Sequence, residues 1–269
     1  MSAEQSRRLD ILVRRFAEDS RRYRDMEIGP TDGEKFDTLR ALMNIRMPGP
    51  LAEDALRLQD EYLTELARER GTVTPEELPA AGALSVWEGD ITRLEADAVV
   101  NAANSRMLGC FRPLHGCIDN CIHTYAGVEL RNECARQMAA LRERYGPDYE
   151  QPPAVPMLTP GYNLPAGHVI HIVGPIAGDE VTEEDRRTLA ACYGRILDMC
   201  RENGLRTVGL CCISTGVFRF PREEAAPIAV AAVRAWLAEN PGVMDRVIFA
   251  VHNPRDRAVY EDLVFGERK

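Results

Sequence analysis

From Ala83 onward, short apolar runs rich in β-branched residues alternate with longer stretches of helical periodicity, and this constrains the fold more than any other feature. The runs LSVWEG, ADAVV, HVIHIVG, TVGLCCI and RVIFAVH each have the length of a buried strand. Helix candidates lie between and after them at 118–144, 183–202, 222–239 and 254–265. Strands that are apolar throughout must bury both faces, and intervening helices of this length can cover them. The expected class is therefore α/β, a sheet covered by helices on both faces. In open sheets of this kind a ligand sits in the crevice beyond the carboxyl ends of the strands. The segments that follow strands are thus where function is sought.

Residues 1–78 read differently. Leu9, Leu12, Val13 and Phe16 recur at helical spacing, as do Phe36, Leu39, Leu42 and Met43. A third amphipathic stretch carries Leu51, Leu58, Tyr62, Leu63 and Leu66. Turn-rich pieces, IGPTDG and RMPGP, join these helices, and RGTVTPEELPAAG ends them. The division expected is an N-terminal helical extension, 1–78, and an α/β domain, 79–269. The periodicity of the extension indicates packing rather than chemistry.

The charged N-terminus, MSAEQSRRLDILVRRF, does not resemble a signal peptide, and no apolar run reaches the ~18 residues of a membrane span. A cytoplasmic protein with no membrane partner is expected. In a reducing compartment the eight cysteines serve as core residues or metal ligands, not staples. The net charge of −9, from 42 acidic and 33 basic side chains, disfavours free nucleic acid as a partner. One pyrophosphate can still be held by backbone N–H groups.

Four segments after strands carry candidate chemistry. In WEGDIT, Asp90 either accepts a hydrogen bond from an exocyclic amine or caps a turn. In ADAVVNAAN, Asn101 and Asn104 end an apolar strand with only alanines between them. Their amides suit sugar hydroxyls, and they suit Asx turns equally. The loop CCISTGVFRFP offers consecutive N–H groups ahead of a helix, with a glycine to relieve crowding. The densest signal is LGCFRPLHGCIDNCIH, where Cys110, His115, Cys117, Cys121 and His123 fall within 14 residues. Two thiolates and an imidazole at C-x4-H-x-C spacing can converge on one ion, and a mixed sulfur and nitrogen set suits zinc. Cys134, Cys192, Cys200, Cys211 and Cys212 are read as buried core thiols.

These segments, in this order, resemble the macrodomain family. GDI, NAAN, CIDNCIHTYAG and ISTGVF carry the likeness, which spans about residue 83 to the C-terminus. The cysteine cluster is similar to the zinc-containing microbial branch of protein-ADP-ribose hydrolases, and LRALMNIRMPGPLAEDALRLQDEYL resembles the helical extension of that branch. The resemblance implies a three-layer αβα macrodomain with a mixed central sheet. It assigns Asp90 and Ile91 to adenine and Asn104 to the distal ribose, and it places Cys110, His115 and Cys117 around one Zn2+. Ser214, Thr215, Gly216, Val217 and Phe218 would wrap the pyrophosphate and ribose. The backbone at Cys117 and Ile118, with Asp119, would line the reacting end, making Asp119 and Asn104 the catalytic candidates. Cys121 departs from the pattern, because relatives typically carry a small residue there.

The expected activity is hydrolysis of the ester linking the distal ribose of mono-ADP-ribose to a protein Asp or Glu side chain, a glycosidase-type reaction. ADP-ribose and a mono-ADP-ribosylated protein are the expected partners. Three protein ligands leave one zinc position open, as in catalytic sites. The alternative from another class is a reader that binds ADP-ribose without cleaving it. A structural zinc module is a third reading and gains only from Cys121. Since every ligand motif lies beyond residue 78, deleting 1–78 is expected to leave a folded domain that binds ADP-ribose; the competing possibility is that these helices cover an apolar face of the sheet domain, in which case the truncated protein aggregates.

Overall fold

The apolar runs form one sheet. The computed structural model describes residues 1–178 and 180–266. Its strands are β1 (Ala80–Ala81), β2 (Leu84–Glu88), β3 (Ala98–Ala102), β4 (Met157–Pro160), β5 (His168–Ile172), β6 (Thr207–Leu210) and β7 (Arg246–Val251). They lie in the order β1-β2-β7-β6-β3-β5-β4. The inner strands run parallel, while β1 and β4 pair antiparallel with their neighbours. The expected α/β class with a mixed sheet is the fold observed. Sequence reading passed over β1 and β4, because AA and MLTP offer no apolar run of strand length. Pro160, which lacks an N–H, is tolerated at an edge.

The helices are α1 (Ala3–Asp19), α2 (Asp32–Ile45), α3 (Glu53–Arg70), α4 (Ile118–Ala126), α5 (Val128–Tyr145), α6 (Glu183–Glu202), α7 (Arg222–Glu239) and α8 (Pro254–Phe265). The last three match the expected bounds, since their ends are written locally. Thr182 and Asp185 form a capping box at α6, and Asn253 caps α8 ahead of Pro254. The single helix expected over 118–144 is two helices. Gly127 separates them at φ +93°, where an added Cβ would lie 2.6 Å from Gln59 Nε2.

Contacts divide the chain into two compact units that are not successive in sequence. The helical unit comprises Met1–Gly71, Leu108–Pro147 and Tyr162–Leu164; the sheet unit comprises Thr72–Met107, Asp148–Gly161 and Pro165 onward. The expected division after residue 78 follows the sequence, whereas by contacts the cysteine-bearing loop with α4 and α5 belongs with the N-terminal helices. The core of the helical unit buries Leu9, Leu12, Val13, Phe16, Leu39, Leu42, Met43, Tyr62 and Leu63, joined by Val128 of α5. All but the last are residues picked out by helical periodicity.

In the sheet unit, His171 of β5 is fully buried between Asn101 Nδ2 and Thr159 Oγ1, each at 3.0 Å. Asn101 donates to Nδ1, so the proton sits on Nε2 and points at Thr159. Burial pushes the imidazole from its ordinary 6.5 down to about 3. The unfolded chain therefore binds a proton between those values that the folded protein refuses. The stability this neutral histidine contributes is present above pH 6.5 and lost as pH falls toward 3. The melting midpoint is expected to drop through that window, and His171→Gln is expected to flatten the drop.

Candidate active site

In the sheet unit, the segment after β2 makes a 3-10 turn over Ile91–Arg93 with Asp90 at its start. Asp90 Oδ1 accepts from Thr92 N at 3.0 Å and from Thr92 Oγ1 at 2.7 Å, so the carboxylate caps the turn and is aimed by it. Ile91 is buried. Gly89 is required ahead of the turn, because a Cβ there would meet the Trp87 ring at 2.2 Å.

The two asparagines of this segment part company. Asn101 is inside the sheet, held by His171, whereas Asn104 is half-buried past the strand end. Asn104 Oδ1 accepts from Arg106 N at 3.1 Å, an Asx turn.

The loop after β6 is strained and under-bonded. Ser214 holds φ +64° and Arg219 φ +59°, in the left-handed region that side chains disfavour. The Ser214 hydroxyl is buried with no hydrogen-bond partner among the described residues. Such a group costs ~1–3 kcal/mol unless a ligand completes it. The loop is fastened at its base, where Phe220 N donates to Ser214 O at 3.0 Å and Ala177 N to Phe218 O at 3.0 Å. The N–H groups of Gly216, Val217 and Phe218 have no protein acceptor among the described residues, and Val217 is 72% exposed. The glycine that relieves crowding is Gly174, not Gly216. A Cβ at Gly174 would meet Ser214 Oγ at 2.1 Å, whereas one at Gly216 would meet nothing within 4 Å. Sequence reading missed Gly174, since nothing in HIVGP says that a distant hydroxyl presses on it.

In the helical unit, the ligand atoms of Cys110, His115 and Cys117 all lie within 4.8 Å of one another. Cys110 Sγ is 3.6 Å from His115 Nδ1. Cys117 is the N-cap of α4, and its sulfur accepts from Asn120 N at 3.4 Å. Burial pushes the Cys117 thiol up to about 12, with the neighbouring Cys110 and Asp119 adding to the shift. Without a cation the sulfur stays protonated; a bound metal reverses that preference. Cys121 lies outside this group and receives Arg40 Nη2 at 3.7 Å.

Asp119, in the first turn of α4, is 6% exposed. His123, one turn on and equally buried, places Nε2 3.6 Å from Asp119 Oδ1. Sequence reading counted His123 in the cluster and gave it no role, although the four-residue spacing from Asp119 on a helix was a usable signal. Arg131 was missed entirely. Its buried guanidinium donates to Leu108 O, Met43 O and Arg46 O at 2.8, 2.8 and 2.6 Å and stacks over Phe111 at 4.4 Å. Arg131 thereby ties the start of the cysteine loop to the end of α2.

The Macro domain family model matches residues 100–229. A protein-ADP-ribose hydrolase of Treponema medium is 42% identical over 265 residues, covering 97% of this chain and 99% of the relative. One from Staphylococcus aureus strain MSSA476 is 40% identical over 241 residues, covering 88% of each. The crystal structure of a Trypanosoma brucei macrodomain in complex with ADP-ribose is similar with a TM-score of 0.62 at 31% identity, covering 84% of this chain and 94% of that one.

Proposed function

This chain belongs to the macrodomain family, and on that premise we propose that it is a protein-ADP-ribose hydrolase. Its substrate is mono-ADP-ribose esterified to a protein Asp or Glu side chain, and its cofactor is one zinc ion held by Cys110, His115 and Cys117. The relatives named protein-ADP-ribose hydrolase, matched over nearly the whole chain, support the activity. The observation that carries the zinc reading is the convergence of two thiols and one imidazole within 4.8 Å, a donor set that fits zinc. When bound, zinc supplies a Lewis-acidic position able to hold a ribose hydroxyl or to lower the pKa of a water toward ~7.

The chain's own residues do the rest. In the sheet unit, Asp90 accepts from the adenine amine and Ile91 lies against the base. Gly216, Val217 and Phe218 direct unpaired N–H groups at pyrophosphate oxygens, and Ser214 gains the partner its hydroxyl lacks. Asn104 contacts the distal ribose. In the helical unit, the backbone at Cys117 and Ile118 lines the reacting end, and Asp119 orients a water and takes its proton. Asp119 suits that task because it is buried on a helix, so its position is fixed before substrate arrives.

The test is incubation with protein mono-ADP-ribosylated on carboxylates, reading free ADP-ribose, with and without chelator. Release by the wild type and its loss on chelation are expected. Asp119→Ala is expected to slow release by roughly 100-fold or more with ADP-ribose affinity nearly kept, the signature of a group used in the transition state. Tight calorimetric binding of ADP-ribose with no release from any modified protein would instead make the chain a reader.

A further inference from the structure

We propose that Arg40 and Asn44 of α2 are positioning residues for the metal site, so that the N-terminal helices are a working part of that site. The inference rests on the zinc reading above. Arg40 and Asn44 are one helical turn apart and share a face of α2. Arg40 Nη2 donates to His115 O at 2.8 Å, and Nη2 and Nε together fork onto Asn120 Oδ1 at 2.9 and 3.3 Å. Asn44 Oδ1 accepts from Leu114 N at 3.0 Å, and Asn44 Nδ2 donates to Thr124 Oγ1 at 3.0 Å. The backbone of the ligand His115 is therefore held on both sides by α2, at the N–H of the preceding residue and at its own carbonyl.

That grip has something to hold. Leu114 adopts φ +56°, a left-handed conformation that leucine disfavours, and the residue is 46% exposed, so core packing does not enforce it. The bond from Leu114 N to Asn44 holds this backbone in place. Asn120, fully buried, passes the restraint to the other two ligands. Its Nδ2 donates to Arg112 O at 3.0 Å and Cys110 O at 3.4 Å, and its N–H donates to Cys117 Sγ at 3.4 Å. All three ligands are thus reached from Arg40 directly or through Asn120. The contact between Arg40 and Cys121 gives the cluster's third thiol a place in the same network. Outer-shell partners of this kind orient the ligands of a metal and tune its affinity.

The experiment uses the full chain with three single substitutions, Arg40→Lys, Arg40→Gln and Asn44→Ala. Zinc affinity is read by competition with a chromogenic chelator, and the ligand-field spectrum is read after cobalt substitution. Lysine keeps the charge and stem but cannot fork onto Asn120 while reaching His115. Each variant is expected to weaken zinc about 10- to 100-fold and to shift the cobalt spectrum at saturating metal, with metal-free helicity unchanged. A role in folding alone would not move that spectrum. Zinc affinity within twofold of wild type, with an unaltered cobalt spectrum, overturns the inference. Loss of helicity in all three variants also overturns it, in favour of a general structural role. Failure of the wild type to bind zinc sinks the zinc reading itself, and it is seen before any variant is made.

Discussion

Cys110→Ala is expected to abolish release of ADP-ribose from modified protein while circular dichroism and the melting transition change only modestly. The three proposed ligands span eight consecutive residues, so a metal held by them would join no distant parts of the chain. A link across so short a loop removes little entropy from the unfolded state. The fold rests instead on buried strands such as Ala98–Val100 and on the helical core around Leu9, Leu39 and Tyr62. Zinc is worth several kcal/mol in a transition state, so its loss corresponds to roughly 100-fold or more in rate. A strong chelator is expected to act as the substitution does. Cys121→Ala is expected to be mild, because Cys121 stands outside the group of atoms that converge within 4.8 Å. Equal loss of zinc from Cys121→Ala and Cys117→Ala would mean four ligands and a closed structural site.

Deleting residues 1–71 is expected to leave a chain that aggregates or loses the order of α4, α5 and the cysteine loop. This reverses the expectation drawn from motif positions alone. The deletion removes every member but Val128 of the apolar cluster that α1, α2 and α3 build, and leaves Val128 exposed. It also takes two of the three carbonyls that satisfy Arg131, those of Met43 and Arg46. A buried donor left without its acceptor costs ~1–3 kcal/mol, and more when charged. The bonds from Val128 N to Gln59 and from Asn44 to Thr124 are lost as well. Against a total stability of ~5–15 kcal/mol, these losses are decisive. Size-exclusion chromatography and circular dichroism of the truncated chain check this. A monomer with native helicity in 118–145 would show that α4 and α5 hold without the extension.

The parts of this molecule legible in its sequence are those specified by residues close together along the chain. The apolar runs became inner strands, and α6, α7 and α8 fell within their expected bounds, because caps such as Thr182 with Asp185 act over three residues. The convergence of Cys110, His115 and Cys117 was legible for the same reason. No apolar run reaches ~18 residues, and no helix among the described residues is long and apolar enough to cross a membrane. Tertiary structure decided what depends on neighbours far along the chain. The helix that periodicity runs straight through breaks at Gly127, whose φ of +93° is non-helical and favours glycine. Gly174 is obligatory because Ser214 presses on it. Residues 108–147 join the N-terminal helices because Arg40, Asn44 and Arg131 bond across 70 to 88 positions of sequence. Periodicity reports which face of a helix is apolar; it does not report which partner satisfies a buried guanidinium or an asparagine. That choice belongs to the packed molecule, and it makes the extension part of the cysteine loop's surroundings.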